Sequence, residues 1–353
     1  MKFHIQLVWF SVLTLCSSFT VASVTYRLTD MGGFGGADSR AIGINNHTEV
    51  VGWAFMPEQE ISHAYRYSDG SLSNLHPPSA HMSQARGINN SGSVAGMTVI
   101  GHRTYATLWH NGSIVTIDPN GSRSLANALN DTGQVTGNAH FGGFQHAFKY
   151  ENGNFSDLGT LGGAMSSGLA INASGNIVGY SLTSNPDWQQ RAFVYSTGDR
   201  MRDLGTLGGL HSQANGINDQ GQIVGWSWNE NDRAEAFVWS QGNMVGLGNL
   251  GGFSSYAQDI NEHGDIVGSW SPDGFTRLAF VIQNGIMADL NALIDPLSGW
   301  SLVEANAIND SGCIVGFGID PFGIDRGFLL TPIPSPCSLV YLLSFGAFLR
   351  RSR

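Results

Sequence analysis

One short motif recurs seven times along the chain and constrains the fold more than any other feature. Each copy has an apolar residue followed by Asn, a short polar turn, and an apolar run that ends in Gly. Successive copies are 41 to 48 residues apart, and their asparagines are Asn45, Asn89, Asn130, Asn172, Asn218, Asn261 and Asn309. A period of this length predicts an array of one supersecondary unit.

Each copy is predicted to form four short antiparallel strands. In the fifth copy, residues 214–218, 222–226, 235–239 and 243–247 are apolar runs bounded by turn residues. The Asn-x-x-Gly turn suits a tight hairpin because Gly accepts a positive φ. The first copy has Thr48 in the Gly position, so its turn is expected to differ. Four strands per copy match a propeller blade, and we predict an all-β, seven-bladed β-propeller.

The ends of the repeat array indicate how the ring closes. The last copy stops after its third strand, at residues 328–330, while a surplus strand at residues 25–31 precedes the first copy. This surplus strand matches the fourth-strand position. We therefore predict that it completes the last blade and that the propeller domain covers residues 24–331.

Residues 1–23 have the pattern of a signal peptide. Lys2 precedes a mostly apolar stretch, and small residues follow it, which predicts cleavage after Ala22 or Ser23. The expected location is therefore secreted, either extracellular or on the outer cell surface, after export through the inner membrane.

Residues 332–353 form a Pro-rich break followed by an apolar tail. Pro334, Ser335 and Pro336 precede an apolar stretch at residues 339–349 and a terminal arginine cluster. A helix over this stretch would reach only about 17 Å, against about 30 Å of hydrocarbon, so a transient membrane tether is expected. The tail resembles the PEP-CTERM sorting signal of Gram-negative bacteria, with Ser335 where that motif has Glu. The resemblance implies processing close to Pro334, Ser335 and Pro336.

Charge and cysteine content exclude some partners. The formal net charge is −10, and it is −14 without the two end segments. Such a chain repels phosphate backbones, so no nucleic-acid partner is expected. Outside the predicted signal peptide only Cys313 and Cys337 occur, which gives no disulfide framework. We expect a monomer that is stabilised by burial.

The third strand of most copies carries a short tripeptide motif that ends in an aromatic residue. It reads His146-Ala147-Phe148 in the third copy, and Ala-Phe recurs at residues 192–193, 236–237 and 279–280. On these motifs, residues 26–333 resemble the HAF-repeat family of extracellular bacterial proteins. That resemblance implies secretion and assigns no chemistry.

The connector after the second strand differs in every copy and holds the candidate binding residues. Binding residues concentrate in loops on a rigid scaffold. Aromatic rings can stack on sugars, and carboxylates accept hydrogen bonds from hydroxyl groups. The candidates are Trp188, Trp228, Asp232, Trp270, Asp273 and Phe322. They predict a non-enzymatic protein that binds extracellular polysaccharide or another surface or matrix component.

Two alternatives stay open at this level. A polysaccharide hydrolase or lyase would use loop carboxylates such as Glu230, Asp232 or Asp273, brought to within about 5–10 Å of each other. A structural platform for other surface proteins would need no pocket. The sequence contains no His-Glu-x-x-His, Cys-x-x-Cys or Gly-x-Ser-x-Gly motif. We therefore assign no catalytic residue, metal ligand or cofactor, although the loops are compatible with a loosely bound Ca²⁺.

Overall fold

Short β-strands joined by tight turns make up nearly all of the protein. The structure is a computed structural model, and it describes residues 24–57, 61–118, 123–184, 189–196 and 198–333. The first strands are β1 (Thr25–Asp30), β2 (Ser39–Ile44), β3 (Val50–Phe55), β4 (Ser62–Ser68), β5 (Ser71–Asn74), β6 (Met82–Ile88), β7 (Val94–Ile100), β8 (Arg103–His110), β9 (Ser113–Thr116), β10 (Leu125–Leu129), β11 (Val135–Phe141), β12 (Phe144–Glu151) and β13 (Asn154–Asp157).

The remaining strands continue the same pattern. They are β14 (Gly162–Ile171), β15 (Ile177–Thr183), β16 (Gln190–Tyr195), β17 (Arg202–Asp203), β18 (Gly208–Ile217), β19 (Ile223–Asn229), β20 (Ala234–Ser240), β21 (Asn243–Gly246), β22 (Ser254–Ile260), β23 (Ile266–Ser271), β24 (Leu278–Gln283), β25 (Ile286–Asp289), β26 (Ser301–Ile308), β27 (Ile314–Ile319) and β28 (Asp325–Ile333). Two short 3₁₀ helices, Leu290–Ala292 and Pro296–Ser298, lie between β25 and β26.

The strands form consecutive antiparallel sheets, as the repeats predict. Within the described ranges there are five four-stranded sheets and one eight-stranded sheet. The eight-stranded sheet contains the third and fourth repeats, which a single parallel bridge between Gln145 and Met165 joins. If this bridge is set aside, each of the seven repeats is one four-stranded unit. The prediction of an all-β propeller is confirmed. A count of seven blades is an interpretation, because it treats the third and fourth repeats as separate sheets despite the single bridge between them.

The N-terminal strand completes the last sheet, as predicted. That sheet has the order β1-β28-β27-β26, and the amide of Met31 donates to the carbonyl of Gly327 at 3.1 Å. Tyr26 and Met31 are buried. A strand from the start of the domain is thus hydrogen-bonded to its last strand, which joins the two ends of the ring. Residues Tyr26–Pro332 form one compact unit.

The repeated asparagines do more than start the turns. In every repeat the Asn Oδ1 accepts a hydrogen bond from the amide four residues later, at 2.9 to 3.0 Å. Its Nδ2 donates to the main-chain carbonyl of the equivalent Asn in the next repeat, at 3.0 to 3.2 Å. Asn309 donates to Asn45, so the series closes on itself. We call these residues the asparagine ring.

The turn of the first repeat corrects one expectation. Thr48 adopts a positive φ of 62°, and its amide donates to the carbonyl of Asn45 at 3.0 Å. Gly92 makes the same bond to Asn89 in the second repeat. The prediction of a different turn was therefore wrong. The carbonyl and Oδ1 of Asn45 accept hydrogen bonds from the amides of Thr48 and Glu49. These bonds hold the turn even though Thr48 is β-branched and such residues rarely adopt a positive φ.

The aromatic residue of the third strand forms the core of most repeats. Tyr65, Phe148, Phe193, Phe237, Phe280 and Phe328 are each at most 1% exposed. The apolar clusters join neighbouring repeats: Phe237, for example, packs in a cluster with Val178 and Ala192 of the preceding repeat. The hydrophobic core thus lies between adjacent sheets and links them around the ring.

Candidate functional site

The domain has two faces of different character. In an antiparallel meander, the connectors after the first and third strands lie on one side, and those after the second and fourth strands lie on the other. We call the side with the asparagine turns the turn face, and the side with the variable connectors the loop face. Strand β28 ends on the turn face, where Cγ of Pro332 lies 3.3 Å from the position that a Cβ on Gly312 would occupy. The hydrogen bond from Met31, which follows β1, to Gly327, near the start of β28, shows that the two strands run in opposite directions, so β1 starts on the same face.

Trp228 and Asp232 lie on the loop face of the fifth repeat. Trp228 is the penultimate residue of strand β19, is half-buried, and packs edge-to-face on His211 at a centroid distance of 4.6 Å. Asp232 is exposed and has a φ of 55° in a turn closed by its amide and the carbonyl of Asn229. Glu230, a candidate of the enzyme alternative, is also exposed in this connector. Trp228 therefore helps to hold the connector that presents both acids.

Trp270 and Asp273 lie on the loop face of the sixth repeat. Trp270 is half-buried and packs against an apolar cluster that contains Phe280. The Asp273 carboxylate accepts hydrogen bonds from the amides of Phe275 and Thr276 and from the Thr276 hydroxyl, at 2.7 to 2.9 Å. The Thr276 and Phe275 amides lower the pKa of Asp273 to about 2. Its carboxylate is therefore used by its own loop.

The three most exposed large apolar side chains among the described residues lie on the loop face of the sixth and seventh repeats. The predicted Phe322 is 87% exposed, and Phe275 and Leu297 are 96% and 91% exposed. Phe275 and Phe322 lie after the second strands of adjacent repeats, and Leu297 lies in the connector between those repeats. We call these three residues the apolar tips. Phe275 and Leu297 were not among the candidates, although each is a large apolar residue inside a turn sequence, which is the signal that identifies them.

Other predicted residues lie outside the described part of the chain. These are the binding candidate Trp188 and the processing residues Ala22, Ser23, Pro334, Ser335 and Pro336. Within the described residues, no helix is both long and apolar enough to cross a bilayer. The same residues contain no group of three or more His, Cys, Asp or Glu side chains arranged to hold a metal ion.

A central channel runs between the innermost strands of all the repeats. It encloses about 420 Å³ and is lined by the first strand of each repeat. In every repeat this strand has a β-bulge three residues before the ring Asn. The bulge residues line the channel and are Ile42, Arg86, Asn127, Leu169, Asn215, Gln258 and Asn306.

Asp259 departs from the pattern of the channel wall. The residue two before the ring Asn is Gly or Ala in the other repeats, whereas the sixth repeat has Asp259 there. Its carboxylate accepts hydrogen bonds from the amides of Ile260 and Ile308, at 2.9 and 3.0 Å. Burial, aided by the charge of Asp310, raises the pKa of Asp259 to about 7. This carboxyl therefore titrates near neutral pH.

Titration of Asp259 predicts a pH-dependent stability. In the unfolded chain an Asp has a pKa of about 3.9, so between about pH 4 and 7 the folded protein holds a proton that unfolding releases. The free energy of unfolding should therefore fall as the pH rises through this window. Urea denaturation at pH 5 and pH 8 should show Asp259→Ala gaining stability relative to the parent protein at the higher pH. Asp232→Ala, at an exposed site, is the control. A difference between D259A and the parent that is equal at both pH values would contradict this prediction.

Comparisons with known proteins support the fold. The β-propeller domain of the Trilobed protease from Pyrococcus furiosus aligns with a TM-score of 0.51 and 13% identity, over 72% of this chain and 84% of that domain. That domain is described as having an open velcro topology, whereas here β1 completes the last sheet. At this identity the likeness shows the β-propeller fold alone.

Two further solved structures are similar at lower scores. The gluconolactonase XC5397 from Xanthomonas campestris aligns with a TM-score of 0.45 and 11% identity, over 90% of this chain and 94% of that one. TolB from Acinetobacter baumannii aligns with a TM-score of 0.44 and 13% identity over 58% of this chain, and the match spans 52% of the TolB chain. No protein-family model matches the sequence, and no curated protein matches it significantly.

Proposed function

We propose that this chain is a secreted, non-enzymatic binding protein that contacts extracellular polysaccharide, or another surface or matrix component, through its loop face. The observation that carries the proposal is the exposure of the apolar tips, Phe275, Leu297 and Phe322, on consecutive connectors of one face. Exposed apolar groups that cluster on one surface are a feature of interaction sites. Phenyl rings supply flat apolar area at low entropic cost, which suits stacking on the apolar face of a sugar.

The chemistry of Asp273 favours binding over hydrolysis. A glycosidase needs one carboxyl group that is protonated at working pH and can donate to the leaving group. Three hydrogen bonds from its own loop stabilise the ionised form of Asp273, and its pKa of about 2 keeps it charged. Asp273 is therefore unsuited to act as a general acid, and its role is to hold the turn that presents Phe275.

The two ends of the described domain lie away from the apolar tips. Strand β1 starts and strand β28 ends on the turn face, so neither end of the domain occupies the loop face. The HAF-repeat and PEP-CTERM resemblances are part of this proposal, since they imply export and a transient membrane tether. Cell fractionation of the full chain and of a chain that ends at Ile333 tests both.

Binding to immobilised glycans tests the loop-face assignment. The purified full chain should bind at least one polysaccharide on an array, measured with Ca²⁺ and again with a chelator. The double variant Phe275→Ser, Phe322→Ser should bind at least tenfold more weakly, because the stacking surface is lost. Both side chains are almost fully exposed, so the melting temperature should change little.

The control variant carries the same kind of change away from the loop face. Ile286 and Val245 are 61% and 49% exposed on outermost strands, and Ile286→Ser, Val245→Ser should leave binding unchanged. Equal loss in both double variants would contradict the loop-face assignment. Depolymerisation of a bound polymer with turnover would overturn the non-enzymatic proposal. Binding to surface proteins alone would favour the platform alternative.

A further inference from the structure

Most of the polar bulge side chains in the channel wall are hydrogen-bonded to a neighbouring repeat. The bulge asparagines donate to the main-chain carbonyls of the following repeat: Asn127 to Gly168, Asn215 to Ala257, and Asn306 to Ala41, at 2.7 to 2.8 Å. Gln258 donates to Glu304 at 2.6 Å. These side chains stitch neighbouring repeats together, so most of the polar groups in the wall have a structural role.

Arg86 is the exception among the bulge residues. It is the one basic side chain among the described residues that line the channel. Its Nε is buried without a hydrogen-bond partner in the described structure, and its Nη1 makes only a long contact, 3.5 Å, to Oδ1 of Asn127. Burial lowers the pKa of Arg86, although an arginine stays charged at any physiological pH. The guanidinium is thus a fixed cation whose donors are largely unused.

We propose that Arg86 is the anchor of a binding site in the central channel for a small hydroxylated carboxylate, such as a sugar acid. The planar guanidinium offers parallel N–H groups that pair with both oxygens of one carboxylate. The channel volume of about 420 Å³ falls in the range of small-molecule sites. This site is separate from the loop face and does not depend on the function proposed for that face.

The charge balance of the channel favours a monoanion. Its charged lining residues are Arg86, in the second repeat, and Asp259, in the sixth. The seventh and first repeats lie between them along the shorter way around the ring. When Asp259 is protonated, a single carboxylate balances the single guanidinium, whereas a dianion would leave one uncompensated charge in the channel, which is costly.

Hydroxyl groups suit the rest of the wall. The bulge amides use one donor each for the inter-repeat bonds, and a carboxamide has two donors and two acceptor sites. Asn127 and Asn306 therefore have hydrogen-bonding capacity left toward the channel. Apolar surface comes from Ile42 and Leu169. A ring or short chain with several hydroxyls matches this mixture better than a purely apolar acid does.

Calorimetric titration of the purified full chain tests the proposal, with D-glucuronate, D-glucose and inorganic phosphate as probes. Glucuronate should bind, phosphate should bind more weakly, and glucose should give no measurable heat. Arg86→Gln should weaken glucuronate binding at least tenfold. Arg86→Lys, which keeps the charge but loses the paired donors, should show an intermediate loss. Arg103→Gln, the same change at an exposed arginine, should bind like the parent protein.

Several outcomes would overturn this assignment. They are the absence of glucuronate binding, equal binding of glucose, tighter binding of phosphate, or an R86Q variant with parent-like affinity. Circular dichroism and melting temperature show whether R86Q is folded. If R86Q is unfolded, the test becomes the glucuronate affinity of R86K compared with that of R103Q. Parent-like affinity in R86K would then reject a role for the paired donors of Arg86.

Discussion

Replacing Asn309 with alanine is expected to lower the free energy of unfolding by about 2–4 kcal/mol. Asn309 is 3% exposed, and its Oδ1 accepts from the amides of Ser311 and Cys313, at 3.1 and 2.9 Å. Its Nδ2 donates to the carbonyl of Asn45 at 3.0 Å. In Asn309→Ala the amides of Ser311 and Cys313 and the carbonyl of Asn45 would lose their hydrogen bonds to the side chain of residue 309. A buried polar group without a partner costs more free energy than its hydrogen bond contributed.

The hydrogen bond from Asn309 to Asn45 should contribute more to stability than its length alone suggests. It joins the last repeat to the first, where the chain itself does not connect the two. The measurement is chemical denaturation with the melting temperature as a second readout, which should fall by roughly 3–6 °C.

Two variants separate the contributions. Asn309→Asp keeps the acceptor oxygen for Ser311 and Cys313 but places a second acceptor against the carbonyl of Asn45. It should therefore lose part of the stability. Asn154→Ala, at an exposed position of β13, should stay within about 0.5 kcal/mol of the parent protein. A loss in N309A no greater than that in N154A would refute a stabilising asparagine ring.

Properties that depend on one repeat could be predicted from the sequence. The turn starting at Asn218 and the strands on either side of it follow from alternating apolar runs and turn residues, which are local signals. The pairing of β1 with β28 is a long-range contact, yet it was predictable because the repeat count leaves one strand too few at one end and one too many at the other.

Properties that depend on contacts between repeats were not predictable in this way. The sequence identifies Asn218 as a turn residue, and its Oδ1 does hold the turn. Its second bond, from Nδ2 to the carbonyl of Asn261, needs the radial packing that brings equivalent turns together. The β-bulge before each ring Asn is similarly hidden, because a bulge changes the register of a strand without a distinctive residue type.

The candidate sites show the same limit. Asp273 was chosen for its carboxylate, and the structure shows that carboxylate occupied by the amides of Phe275 and Thr276. Arg86 and Asp259 were overlooked because each looks ordinary within its own strand. Both stand out only when the repeats are aligned position by position, where Asp259 replaces Gly or Ala. In a repeat protein, departures from the repeat identify candidate sites better than residue type does.

Replacing Gly137 with alanine should be among the most destabilising single-methyl additions in this fold. A Cβ at Gly137 would lie 1.9 Å from the carbonyl oxygen of Leu125 and 2.9 Å from Cε1 of Phe148. One contact is with the main chain of the inner strand, and the other is with a fully buried ring, so neither neighbour can move aside at little cost. We expect a loss of about 3 kcal/mol, the upper end for overpacking a core.

The same close approach recurs in every repeat and explains why the second strand contains Gly. At each equivalent glycine an added Cβ would lie within 2.1 Å of a carbonyl oxygen of the inner strand. These glycines are Gly52, Gly96, Gly137, Gly179, Gly225, Gly268 and Gly316. The missing side chain lets the bulged inner strand approach closely and leaves room for the third-strand aromatic residue. The expected effect therefore comes from steric crowding and not from backbone conformation.

A second glycine of the same repeat separates the two causes. Gly133 has a φ of 82°, and a Cβ there would meet no atom within 4 Å. Gly133→Ala should therefore cost only the strain of a positive φ, about 1 kcal/mol. Urea denaturation of both variants should show the larger loss for Gly137→Ala. The reverse order would mean that backbone strain in the hairpin turns, and not the close approach of the inner strands, determines where this repeat requires glycine.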